Sequence, residues 1–230
     1  LGCSAASTKS DVVHVNTIVA DFNRTPASGF RPLDVSFTDA STPDPSKPIV
    51  SWEWDFDTTN YATDTVTPET YSGQTPGTVN YDPGFPPQSY TASLIITDEM
   101  GCKDTAYRNI DVDNNPPVAV NDTATVYEDI ADSLYVLTIG LNDYDPDPND
   151  SIRIVRAGLC ADLNSGTTSE GGTVSVNNNG TPNIWSDDFI VYQTSLHFND
   201  ALVNGNDSFC YEIYDSKDSV SVAEVYLDVI

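Results

Sequence analysis

Hydrophobic and polar residues along this chain alternate with a period of two, and the alternation is broken at intervals of about ten residues by clusters of Asp, Asn, Gly and Pro. In 33–39, Leu33, Val35 and Phe37 fall on one face, with Asp34, Ser36 and Thr38 on the other. In 49–56, Trp52, Trp54 and Phe56 share a face opposite Glu53 and Asp55. Residues 90–98, centred on Leu94, Ile95 and Ile96, make the next strand, and the turn 98–101 leads into another over 102–112. The second half predicts strands over 134–139, 152–155, 171–176 and 189–193, then a hairpin pair over 207–215 and 220–229. No window has helical periodicity. The pattern predicts an all-β chain of antiparallel β-sandwiches.

The chain has 230 residues, enough for two sandwiches in tandem. Asn114, Asn115, Pro116 and Pro117 form a stiff junction at 114–117. It separates a first domain, 17–113, from a second, 118–230. Residues 1–16 fit neither. A hydrophobe-Gly-Cys turn, one strand and an Asn occur both there (Leu1-Gly2-Cys3 to Asn16) and at Met100-Gly101-Cys102 to Asn114. That short repeat reads as the last strand of a preceding domain. The competing reading is a free strand donated to a neighbouring subunit of a fibre.

Charge changes the picture more than composition does. Acidic residues number 35 against 9 basic, a formal net charge of −26. This argues against nucleic acid and anionic membrane surfaces as partners. No apolar run is long enough to span a bilayer. The excess of acid requires cations, either bound or as concentrated salt. It is densest at 142–150, Asn-Asp-Tyr-Asp-Pro-Asp-Pro-Asn-Asp. Pro146 and Pro148 exclude a helix or central strand there, leaving a loop whose hard oxygen ligands suit calcium, or a plain solvated acidic turn. An EF-hand is ruled out: its sixth and twelfth places hold Pro148 and Ile154 in place of Gly and Glu.

Cys160 and Cys210 occupy positions that a sandwich can bring together, as a disulfide or as two buried thiols. Cys3 either pairs with Cys102 or has its partner elsewhere. His14 and His197 lie far apart and no nucleophile motif accompanies them, so no enzyme is expected. Few lysines, an even cysteine count and many Asn/Asp/Thr turns point to an extracellular or cell-surface setting. Trp52, Trp54, Trp185 and Tyr192 offer an aromatic platform for sugars, although Trp52 and Trp54 read as core.

Residues 32–41 (Pro-Leu-Asp-Val-Ser-Phe-Thr-Asp-Ala-Ser), 52–57 (Trp-Glu-Trp-Asp-Phe-Asp) and 89–98 (Ser-Tyr-Thr-Ala-Ser-Leu-Ile-Ile-Thr-Asp) resemble the polycystic kidney disease (PKD) domain. The resemblance implies an Ig-like sandwich of roughly seven strands. Asp57-Thr58-Thr59 replaces the family's usual Gly-Asp-Gly turn, and the Pro- and Thr-rich stretch 61–87 is expected to be irregular.

The second domain resembles bacterial cadherin-like, Ig-like tandem repeats of surface adhesins. The carriers are Pro116 to Asp122, Tyr127-Glu128-Asp129, Asn142-Asp143 with Asp145 and Asp147, and Asn206 to Asp215. That resemblance implies calcium near the junction, held by Glu128, Asp143, Asp145 and Asp147, with Asp122 or Asp188 as extra ligands. It also implies a stalk segment of a large adhesin, partnered by neighbouring repeats and by surface glycans or other cells. An accessory carbohydrate-binding module of a secreted hydrolase and the fibre subunit are the alternatives.

Overall fold

The computed structural model describes residues 18–59, 65–127, 135–137, 142–181, 188–195 and 206–230. Among these there is no helix, and the chain divides into two compact units. The first takes in the chain to Tyr81 together with Ser89–Asp111; the second takes in Asp82–Gln88 and Val112–Ile230.

Unit 1 is a sandwich of two sheets. Strands β1 (Phe22–Thr25), β2 (Ser28–Phe30), β3 (Leu33–Asp39), β4 (Ile49–Asp55), β5 (Thr65–Thr67), β6 (Thr70–Ser72), β7 (Gly77–Asp82), β8 (Gln88–Asp98) and β9 (Lys103–Asp113) build it. One sheet has the order β1-β3-β7-β5 and the other β2-β9-β8-β4-β6. The alternation in β3 works as expected: Leu33, Val35 and Phe37 are buried, and the residues between them are not. Phe22 meets Trp54 edge-on at 5.2 Å between ring centroids, and Phe37 lies 4.8 Å from Phe56. Such pairs add to the area term of burial. Trp52 is only half-buried; its indole N–H donates to Asp39 at 2.8 Å.

The stretch 61–87, expected to be irregular, contains three strands. β6 pairs with β4 (Glu53↔Ser72) and β7 pairs with β3 (Val35↔Val79). Val79 and Tyr81 alternate into the core, and the Tyr81 hydroxyl donates to the Phe56 carbonyl at 2.9 Å. The prolines that suggested an irregular stretch, Pro68, Pro76 and Pro83, fall outside these strands, where a missing amide hydrogen breaks no ladder.

In the β8–β9 turn, Gly101 has φ +82°, a region closed to most side chains. Asp98 organises that turn by accepting the amides of Met100 and Cys102 at 2.9 and 2.8 Å. Cys102 carries a free, half-buried thiol, and Cys3 lies outside the described residues.

Unit 2 is a second sandwich. Its strands are β10 (Asp122–Val126), β11 (Tyr135–Leu137), β12 (Arg153–Gly158), β13 (Thr173–Asn177), β14 (Phe189–Gln193), β15 (Asn206–Tyr214) and β16 (Val220–Val229). The larger sheet runs β10-β16-β15-β12 and the smaller β11-β14-β13. β15 and β16 form the expected hairpin, while β10 runs parallel to β16, Val126 opposite Val229. The core is Val126, Ile190, Tyr192, Phe209, Ile213, Val225 and Leu227 with their neighbours. Cys160 and Cys210 form a disulfide that ties the loop after β12 to β15.

Candidate functional site

Three segments of unit 2 converge on one acidic pocket: the junction residues Asn114 and Asn115, the acidic loop after β11, and the β15–β16 turn. The loop folds as its prolines demand, without regular structure, and Asn149 takes φ +65° so that the chain can reverse. The Asp145 carboxylate accepts the Asp147 amide at 2.7 Å, and Asp150 accepts the amides of Ser151 and Ser216 at 2.7 and 3.1 Å. In the β15–β16 turn, Asp215 is fully buried. Its Oδ1 accepts Lys217 and Ser219 amides at 2.7 and 2.9 Å, and its Oδ2 accepts Asn114 Nδ2 at 2.7 Å.

Carboxylate oxygens of Asp145, Asp150 and Asp215 thereby lie within 4.8 Å of one another. Two oxygens that each sit about 2.4 Å from one calcium ion are at most about 4.8 Å apart, so the spacing suits a shared ion. Two buried acceptors receive no hydrogen bond: Asp145 Oδ2, and the Oδ1 of Asn114, whose Nδ2 donates to Asp215. Buried oxygens without a donor are costly. Burial, reinforced by the neighbouring charges of Asp150, Asp147 and Asp215, pushes the Asp145 carboxyl up to about 6, against the opposing hydrogen bond from the Asp147 amide. The pocket has more negative charge and more lone pairs than its own donors satisfy. It fits a hard dication.

The residues singled out from sequence are distributed over several places. Asp145 is in the pocket. Asp147, 2% exposed, accepts the Asn115 amide and Asn115 Nδ2, both at 2.7 Å, and so clamps the junction to the loop. Asp122 and Asp143 meet at the Tyr211 hydroxyl, 2.9 Å from Asp122 Oδ2 and 3.0 Å from Asp143. Burial raises the Asp143 carboxyl, with the Asp122 charge adding to it, against hydrogen bonds from the Val120 amide and Tyr211. Asp188 lines a separate groove with Arg153, Val176 and Asn177. Glu128 lies outside the described residues. Sequence reasoning passed over Asp150, Asp215 and Asn114. Asp150 closes the very loop that drew attention, and Asp215 directly follows β15. Their partnership depends on β15 folding back beside the loop, which spacing along the chain does not show.

Of the aromatic platform, Trp54 and Tyr192 are buried; Tyr192 donates to the buried carboxylate of Asp207 at 2.9 Å. Trp185 lies outside the described residues.

Fold and pocket together define an all-β, Ig-like sandwich module with an acidic pocket and a disulfide staple. Residues 114–228 match the bacterial Ig domain family, and the chain belongs to it. No curated protein sequence is significantly similar to it. Among solved structures it is similar to the PKD1 domain of the Vibrio cholerae metalloprotease PrtV, with 29% identity over 42% of this chain and 96% of that one, TM-score 0.31. The PKD1 domain of Vibrio anguillarum Epp is 25% identical over 43% of this chain and 98% of that one, TM-score 0.30. Drosophila N-cadherin EC1-3 is 13% identical over 93% of this chain and 67% of that one, TM-score 0.33.

Proposed function

We propose that this chain is a structural stalk segment of a large secreted or cell-surface adhesin, flanked by further repeat modules and stabilised by calcium in the acidic pocket. The observation that carries this reading is the pocket itself: three carboxylates within 4.8 Å, with Asp145 Oδ2 and Asn114 Oδ1 buried and lacking donors. Asp145, Asp150, Asp215 and the Asn114 side-chain oxygen hold the ion. Calcium neutralises their mutual repulsion and links the junction, the acidic loop and the β15–β16 turn. At a free calcium concentration a hundredfold above the dissociation constant, binding adds about 2.7 kcal/mol of stability.

Thermal unfolding in millimolar calcium and in chelator, at matched ionic strength, tests this. Calcium is expected to raise the midpoint by roughly 10 °C. Asp145→Asn and Asp215→Asn should each remove most of that rise. A midpoint that ignores calcium yet climbs with any concentrated salt would reduce the pocket to part of a solvated acidic surface.

A further inference from the structure

The outer face of the β10-β16-β15 sheet carries a second, unrelated feature. Tyr226 projects from it, 48% exposed, with its hydroxyl donating to Glu224 at 2.7 Å. Strand register places Thr123 on one side of it, in line across β10 and β16. The next row along the strands holds Thr125, Asp228 and Asn206, also in register. Neighbouring strands lie about 4.8 Å apart, and successive outward rows about 6.7 Å. Together these side chains line a hollow of about 450 Å³.

Two properties set this hollow apart. Elsewhere in the unit, Asp side chains accept from protein donors, as Asp147, Asp150, Asp207 and Asp215 do. Thr123, Thr125, Asn206 and Asp228 make no side-chain hydrogen bond to any described residue. An exposed aromatic face therefore stands beside a row of hydroxyl, amide and carboxylate groups that all point to solvent. Such a face packs the C–H side of a pyranose ring, while the row accepts from and donates to its hydroxyls. Glu224 and Asp228 at the rim, on a chain of net charge −26, repel uronic or sulfated sugars.

We propose that this face binds a neutral glycan, with Tyr226 as the stacking platform and Asp228, Asn206 and the two threonines reading the hydroxyls. The proposal is independent of the calcium pocket.

Native affinity electrophoresis of the full chain through gels containing galactomannan, xyloglucan or mixed-linkage β-glucan, with alginate as the anionic comparison, tests it. At least one neutral polysaccharide should retard the protein, and alginate should not. Tyr226→Ala should weaken that binding about tenfold without moving the thermal midpoint, since the side chain is exposed. Thr125→Arg, which fills the hollow from the neighbouring strand, should weaken it as well. The proposal is overturned if no neutral polysaccharide retards the chain, if alginate retards it more, or if both variants bind as the parent does.

Discussion

Two aspartates of unit 2 show what a carboxylate does in this fold. Asp207 is 2% exposed and accepts from Thr168, Ser169, Tyr192 and the Glu170 amide. Both of its oxygens accept hydrogen bonds, so the residue fastens the segment 168–170 to the start of β15. Asp145 faces three other carboxylates and keeps one oxygen without a donor. Its folded-state carboxyl, raised to about 6, lies above the unfolded value of 3.8. Between those two values the folded protein holds a proton that the unfolded chain has released, so stability from this group falls as pH rises through that window. We expect calcium-free urea unfolding to show the parent losing about 1 kcal/mol relative to Asp145→Asn between roughly pH 4 and 6.5, the shift being discounted for the solvent that reaches the group. A difference that grows in the opposite direction would remove Asp145 from the repulsive cluster. Saturating calcium should reverse the sign of the difference, because the ion binds the ionised carboxylate of the parent and the variant loses most of that binding.

At the scale of the element, the strands with strict alternation were legible in the chain. β3 and β16 lie where periodicity places them, because one face of each meets a core and the other meets solvent. β5 to β7 were hidden by the prolines around them, although Val79 and Tyr81 carry the same period-two signal. The parallel pairing of β10 with β16 was hidden for another reason: it joins the two ends of the domain, and local pattern has no information on partners so distant. The acidic loop announced part of the pocket through its prolines and carboxylates. Asp215 and Asn114 entered it only through tertiary approach. The Cys160–Cys210 bridge spans 50 residues and fixes the loop following β12, a sheet-edge strand whose register is broken between Ile154 and Arg156. Replacing both cysteines by serine should cost about 2–4 kcal/mol in denaturant unfolding. A loss below about 0.5 kcal/mol would mean that the edge strand is held by its ladder alone.

For the whole molecule, 35 acidic residues against 9 basic make self-repulsion a standing load. Diffuse screening and site binding relieve it with different concentration dependences. In chelator, the thermal midpoint should rise gradually as sodium chloride increases toward molar concentrations, because exposed charges are screened over a Debye length of about 10 Å at 0.1 M and about 3 Å at 1 M. Calcium should act earlier, at concentrations where ionic strength is unchanged, and its effect should saturate. If sodium and calcium trace one curve when plotted against ionic strength, the molecule responds to screening only.

The pairing of β10 with β16 also bears on tension. β10 lies beside β16 as a parallel neighbour, with five residue pairs in register from Asp122↔Val225 to Val126↔Val229. Pulling the ends of these two strands apart along the strand axis loads all of those backbone hydrogen bonds at once, in shear. An antiparallel closure pulled from one end would open them singly, like a zip. A module closed in this way resists being drawn out along its length far better than it resists being peeled.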